Sequence, residues 1–432
     1  MSPRLWSSAH RGVILALAFG VAGFLSYFSL RNALAVHYAD LQTRQGYERS
    51  VRMESEDYRN WYLLGRYWQY NLEDTDTVRA IQAYTAALSL NPGSAEIWSD
   101  LATAYEAEGN IPAARDAFLH AKRTYPLSAE VAWRYGNFLL RQGEQDAAFL
   151  EMHYAVEEEP QRGAEALSRA LRAEPNIDLI LDLVLPPLSN AYIGAIRDQV
   201  ADGHTSNAVK IWKRLASLRP HLPLSEGPFS LVDSLLREKQ IAEAQSVWQE
   251  AMVFASLGNL ADPAGSVLWD GGFESGVVGG GFSWTFQEGV PGVQISLDTR
   301  EKHSGNRSLR LLFNGRYNLH LVGPCHLVPV QPSTAYDFSA WIRTLSITTE
   351  QGVRLQLRSI GTQDTSTVVT PDLRGSQPWT RVEILWSSGR NVQEMQVCVI
   401  RFPSQEVDDK IQGMAWVDDV ALVPSAAEPR KP

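Results

Sequence analysis

Two cysteines in 432 residues leave no material for a cysteine-rich metal centre or a multi-disulfide framework. Both, Cys325 and Cys398, lie towards the C-terminus. They are consistent with one disulfide in an oxidising compartment, and two buried free thiols fit equally well. The nine histidines are scattered, with no pair at the helical spacing of a metal site, and neither a nucleophile elbow nor a phosphate loop is present in the sequence. Gly279-Gly280-Gly281 falls in a β-rich stretch with no helix pattern after it, so a loop role wins over phosphate cradling. Acids are plentiful, but a glycosidase needs two placed across a cleft, and abundance alone assigns none. The expectation is a protein that is not an enzyme.

Positive charge is also short. With 39 basic and 49 acidic residues the formal net charge is −10, which gives no long-range attraction to phosphate backbones and argues against a nucleic-acid partner. Long apolar runs are absent except for residues 12–30, GVILALAFGVAGFLSYFSL, an uncharged stretch long enough to cross a hydrocarbon layer as a helix. Arg4 and Arg11 precede it and Arg31 follows, which places the N-terminus in the cytoplasm and exports the rest. Ala33-Leu34-Ala35 resembles a cleavage site, so a removed signal peptide is the competing reading. The run exceeds a typical signal core, and the expectation is an uncleaved anchor over 1–35: a single-pass bacterial inner-membrane protein with its bulk periplasmic or extracytoplasmic.

Between about 36 and 256, apolar residues return every three or four positions, the mark of amphipathic helices. Trp98, Leu101, Ala102, Tyr105, Ala114, Phe118, Ala121 and Pro126 stand at the spacings of a complete tetratricopeptide repeat, and the phase runs 34 residues on into Gly136, Ala148, Ala155 and Pro160. An earlier unit carries Trp61, Leu64, Gly65, Trp68, Ala80, Tyr84, Ala87 and Pro92, with three extra residues in its turn at 71–77. The segment 36–160 thus resembles the tetratricopeptide family, whose helix–turn–helix units must stack to bury their apolar faces. Residues 161–258 are expected to be degenerate helical repeats, with Ala208, Trp212 and Leu215, then Ala244, Trp248 and Ala251, at second-helix spacing. The resemblance implies a partner groove lined by the first helices: Arg59, Tyr62, Arg66, Gln69 and Tyr70, then Ser99, Thr103 and Glu106, then Trp133, Asn137 and Arg141. Aromatic and arginine side chains suit an interface, and a solvated helix face is the alternative.

From about 265 the pattern changes to short alternating runs separated by glycine, proline, serine and asparagine, which predicts a β-sandwich over 265–424 and a tail at 425–432. Strands are expected at 292–298, 307–313, 317–330, 335–343, 352–359, 366–370, 379–386, 393–402 and 414–423, with an interdomain connector at 257–265. Asp270-Gly271-Gly272-Phe273-Glu274, His303-Ser304-Gly305, Tyr336-Asp337-Phe338-Ser339-Ala340-Trp341, Trp379-Thr380-Arg381-Val382 and Trp416-Val417-Asp418-Asp419-Val420 follow the order seen in galactose-binding-like jelly rolls. This is the fold of many carbohydrate-binding modules. The resemblance implies a structural calcium ion held by Glu274, Asp418 and Asp419, against the alternative that these acids bind turn amides. It also implies that Trp341, Trp379 and Trp386 pack in the core. Sugar binding needs an aromatic platform and planar polar groups; the candidates are Trp284, Tyr317, His320, Arg354, Gln356, Arg358 and Arg401, and the alternative is a strand face that is simply solvated. Arg354, Gln356 and Arg358 alternate with Val353, Leu355 and Leu357 and so share one strand face.

The expected architecture is a transmembrane helix, an all-α tetratricopeptide-type solenoid and an all-β jelly roll. The expected role is a membrane-anchored scaffold whose repeats recruit a protein and whose jelly roll binds a polysaccharide, in exopolysaccharide or envelope assembly. The alternative is a pure protein–protein adaptor with a structural jelly roll.

Overall fold

The computed structural model describes residues 8–223, 225, 227–257, 265–275, 279–287, 289–360 and 366–425, with side chains from residue 12 onward. The leading Arg4, the Arg11 side chain, most of the 257–265 connector and most of the 425–432 tail lie outside the described residues. The chain forms two compact units. One runs to Arg162 and includes Ala166–Pro186; the other holds Gly163–Glu165 and everything from Pro187.

The first unit opens with α1 (Ser8–Asp40), a helix long and apolar enough over Gly12–Asp40 to be a membrane span or a signal sequence. Its last turns belong to the folded unit: Ala35 and Ala39 are buried, and Arg31 makes a bidentate ion pair with Glu54 at 2.7–3.0 Å. The helix α2 (Arg44–Met53) lies against it, and a Cβ on Gly46 would stand 2.4 Å from the Tyr38 carbonyl oxygen.

Three helix pairs follow: α3 (Tyr58–Tyr70) with α4 (Thr77–Leu90), α5 (Ala95–Glu108) with α6 (Ile111–Thr124), and α7 (Ala129–Arg141) with α8 (Gln145–Glu158). Local chemistry sets the starts, because Asp57, Asp76, Ser94, Asn110 and Ser128 each accept a first-turn amide with a side-chain oxygen. The expected packing positions are filled as the spacing predicts. Ala80, Tyr84, Ala87, Ala102, Ala114, Phe118, Ala121 and Ala148 are all buried to 1% exposure or less. The insertion after Tyr70 folds into a turn in which the Asp76 amide donates back to Trp68. Two short helices, α9 (Gly163–Ala173) and α10 (Ile177–Leu183), come next.

The second unit begins with two further hairpins, α11 (Ser189–Ala201) with α12 (Thr205–Ser217) and α13 (Phe229–Arg237) with α14 (Ile241–Phe254). Ala208, Trp212 and Leu215, and likewise Ala244, Trp248 and Ala251, occupy their cores as the degenerate repeat pattern predicts. Then comes a sandwich of two antiparallel sheets. The strands are β1 (Trp284–Thr285), β2 (Val293–Asp298), β3 (Ser308–Asn314), β4 (Leu321–Pro329), β5 (Ala335–Ile347), β6 (Arg354–Ile360), β7 (Thr367–Val369), β8 (Gly375–Ser387), β9 (Glu394–Arg401) and β10 (Gln412–Pro424). One sheet has the order β1-β4-β9-β6-β7 and the other β2-β3-β10-β5-β8. Alternation along each strand sends Leu309, Leu311 and Phe313, Ala340 and Ile342, Leu355 and Leu357, and Val397 and Val399 into one shared core.

The last hairpin is fused to this sandwich. Trp248 of α14 meets Trp269 and Phe282 edge-on at 5.3 and 6.1 Å between ring centres. The Gly281 amide donates to Asp233 of α13 at 2.8 Å, and Lys239 pairs with Glu394 at 3.3 Å. Gly281 has φ +58°, and a Cβ there would stand 2.8 Å from the Trp248 ring. The glycine run is thus a loop, as its β-rich setting predicts, and its work is to let backbone press against an indole.

Candidate functional site

On the first unit, α3, α5 and α7 bring Tyr62, Arg66, Gln69, Tyr70 and Thr103 of the expected groove together around a residue the sequence did not single out. Asp100, 4% exposed, accepts hydrogen bonds from the Tyr62 hydroxyl at 2.9 Å and from Arg134 at 2.7 Å. Tyr62 also donates to Glu96 at 2.7 Å, and burial with these carboxylates pushes its phenol well above the ordinary range. Gln69 accepts from Tyr84 at 2.6 Å, and Arg134 also reaches Thr103 at 3.0 Å. Arg66 lies over the rings of Tyr62 and Tyr70, 5.8 Å from each centroid, and is exposed, as is Tyr70.

Further along, Arg141 forms a bidentate pair with Glu106 at 2.7 Å. Trp133 is buried beneath Arg162 and Arg169, at 5.4 and 5.0 Å, and Asn137 accepts from Arg169 at 2.5 Å. Trp133 and Asn137 are therefore packing residues of the repeat, a correction to their expected place in the groove. Arg59 points away into an ion pair with Asp57 at 3.5 Å. Asp100, Arg134 and Arg169 escaped the sequence reading because groove positions were carried over by spacing, and a charge network across three helices leaves no spacing signal.

On the jelly roll, Arg354, Gln356 and Arg358 do share the outward face of β6. Gln356 pairs in register with Cys398, and Arg358 donates to Gln396 of β9 at 2.7 Å. Cys325 and Cys398 are joined in a disulfide across β4 and β9 on that face. Arg354 is held by Gln351 at 2.8 Å and by Asp372 at 3.4 Å. His320 is exposed just before β4. Tyr317 lies beside Gly292, next to the other sheet, and so stands apart from the β6 face.

Two expectations fail. Trp284 is no platform: its ring is 2% exposed and its indole donates to the Asp270 carbonyl at 3.0 Å. Arg401 is fully buried, donating to Leu319 O, Asn318 Oδ1 and Thr349 Oγ1 at 2.6–3.2 Å, and so organises loops. Among the aromatics expected in the core, only Trp386 is buried there; Trp341 and Trp379 stand half-buried on the outer face of the second sheet. His303 stacks on Trp341 at 3.9 Å between ring centres.

Glu274, Asp418 and Asp419 do meet the loop at 303–307, the first two through its backbone amides and Asp419 through its side chains. Glu274 accepts from Asn306 N at 2.5 Å and Arg307 N at 3.0 Å; Asp418 accepts from His303 N at 2.7 Å and Ser304 N at 3.1 Å. Asp419 holds the His303 ring at 2.5 Å and the Ser304 hydroxyl at 2.6 Å. A bulge between Asp418 and Ala421, with Asp419 at φ +47°, turns both acids towards this loop. Burial pushes Asp418 up to about 6, against the lowering effect of its amide donors. Among the described residues no group of three or more His, Cys, Asp or Glu side chains gathers as metal ligands would. The three acids as placed do not fit calcium, because their oxygens are committed to N–H and O–H donors.

Residues 71–132 match the family model of the tetratricopeptide repeat. No curated protein sequence matches the chain. Among solved structures, the xylan-binding CBM22-1 domain of Paenibacillus barcinonensis Xyn10C is similar at 17% identity and TM-score 0.28, over 38% of this chain and all of that one. A family 16 carbohydrate-binding module is similar at 18% identity and TM-score 0.26, over 36% of this chain and 99% of that one. MamA is similar at 17% identity and TM-score 0.27, over 44% of this chain and 91% of that one. The chain joins a segment that matches the tetratricopeptide repeat model to a sandwich of two antiparallel sheets.

Proposed function

We propose that this protein is a non-enzymatic scaffold anchored by α1 in a bacterial inner membrane, with its folded units outside the cytoplasm. Its repeats bind an extended acidic segment of a protein partner, and its jelly roll binds a polysaccharide, a layout suited to exopolysaccharide or envelope assembly. Arg66 carries the protein-binding half. Among the described residues it has no ion-pair partner, whereas Arg134 and Arg141 on the same face are paired. A guanidinium presented between two tyrosine rings offers an incoming carboxylate both charge and apolar contact.

The disulfide supports an oxidising compartment. The ladder of Arg358, Gln356 and Gln396 supports the polysaccharide half, since planar polar groups pair with ring hydroxyls. Burial of Trp284 and Arg401 favours the rival reading, an adaptor with a structural jelly roll. Two measurements test the proposal. A photo-crosslinker at Tyr70 should capture one protein, and Arg66→Ala should abolish that adduct; an adduct indifferent to Arg66 sinks the acidic-segment reading. A glycan array with the full chain, with and without added calcium, should show binding that Arg358→Ala weakens; no binding in either condition leaves the adaptor.

A further inference from the structure

An open sheet edge presents unpaired amides and carbonyls on which another strand can form, and folded proteins blunt such edges with short strands, charges, prolines or bulges. Three of the four edges of this sandwich are blunted. The strand β1 has two residues and β7 three. The strand β8 carries Pro378, the exposed Arg381 and Glu383, and two register shifts against β5. The fourth edge, β2, is a regular strand of six residues with no proline, no basic residue and no register shift, and among the described residues it pairs with β3 alone.

The ladder to β3 fixes which groups of β2 are left over. The Asn314 amide donates to the Gly292 carbonyl at 3.1 Å, so alternation turns the backbone of Gln294 and Ser296 towards β3 and the amides and carbonyls of Val293, Ile295 and Leu297 to the open side. The side chains of these three pack on the core yet stay partly exposed, because no further strand covers them. Along the open side runs a groove of about 510 Å³ between the strand and the loop of Phe286 and Val290. None of the described residues lining it is charged, so its occupant is an uncharged extended backbone with apolar side chains on one face.

The strand β2 itself meets that description. Laid antiparallel about a two-fold axis at Ile295, it sets Ile295 opposite its own copy and Val293 opposite the second copy's Leu297, matching open-side amides to carbonyls and apolar side chains to each other. On the outer face Gln294 meets the second copy's Ser296 and Asp298 meets Gly292, so no like charges oppose. The Asp298 carboxylate is engaged within its own chain, accepting from the Trp416 indole at 2.9 Å. We propose that a second copy of this chain docks on β2, joining two five-stranded sheets into one continuous sheet. The pairing needs neither the groove on the repeats nor the ladder on β6.

The test follows the mass of the full chain in detergent over a concentration series, by size exclusion with light scattering. The parent should pass from monomer to dimer. Ile295→Pro deletes an open-side amide and no bond to β3, and should stay monomeric. Two further variants carry Ser296→Glu, beside Arg310 of β3, and differ only at 294. With Gln294→Glu, like charges oppose across the two-fold; with Gln294→Lys, unlike charges do. The first dimer should dissociate about tenfold more readily than the second, since the pair occurs twice. If the proline variant melts early, the charge variants decide. Equal dissociation of those two overturns pairing through β2, whatever else joins the copies. A parent that is monomeric at every concentration gives the open edge to another strand and overturns the proposal.

Discussion

A Cβ on Gly65 would stand 2.6 Å from the Tyr84 ring, whose hydroxyl is tied to Gln69 and whose exposure is nil, so the ring has nowhere to go. Gly65→Ala should therefore destabilise the first unit by about 1–3 kcal/mol, seen as an earlier transition in denaturant; an unchanged midpoint would mean that α3 and α4 can move apart freely. This residue was readable from spacing alone, because close approach of paired helices is a property of the repeat. His326 was not. It is fully buried beside Trp284, with Nε2 donating to the Trp269 carbonyl at 2.8 Å, and burial lowers its pKa to about 4. Because an unfolded histidine titrates near 6.5, the unfolded chain takes up the proton first as pH falls, and stability drops by up to about 1.4 kcal/mol per unit between 6.5 and 4. Asp418, raised by burial, acts in the opposite sense over pH 4–6. Comparing the parent with His326→Gln cancels that contribution: the variant should lose less stability between pH 7 and 5, and equal losses would contradict a buried neutral imidazole.

Among elements, those with a repeating pattern were legible and those set by single long-range contacts were not. All nine expected strands are present, since alternation over several residues marks a half-buried strand. The strand β1 escaped because two residues cannot alternate, and β4 starts four residues later than expected because Asn318 is taken up by Arg401 and Ser404. The helix α1 is the most instructive case. Its apolar run ends at Leu30, yet the helix continues to Asp40, with Arg31 clamped to Glu54 and Ala35 buried. Cleavage after Ala35 would cut inside a packed helix and remove one partner of that ion pair. The membrane-extracted protein should therefore show an intact mass of 48.1 kDa; loss of the first 35 residues would show instead that this helix is a removable signal.

At the scale of the molecule, the composition change at 258–265 suggests a division that three-dimensional packing does not follow, because the second compact unit takes in Gly163–Glu165 and everything from Pro187, and so carries two helical hairpins with the sandwich. Sequence pattern reports the period of each segment, and it holds no record of which finished surfaces adhere. Here the adhesive is Trp248 against Trp269, Phe282 and the backbone of Gly281. Burying an aromatic of this size contributes about 1.5–3 kcal/mol, and removing the helices would expose the facing residues of the sandwich as well. A fragment of residues 187–432 should consequently melt in one transition and above a fragment of 265–432, and Trp248→Ala should bring the longer fragment down towards the shorter one. Two separate transitions in the longer fragment, or equal melting temperatures, would mean that the hairpins and the sandwich fold independently and only touch.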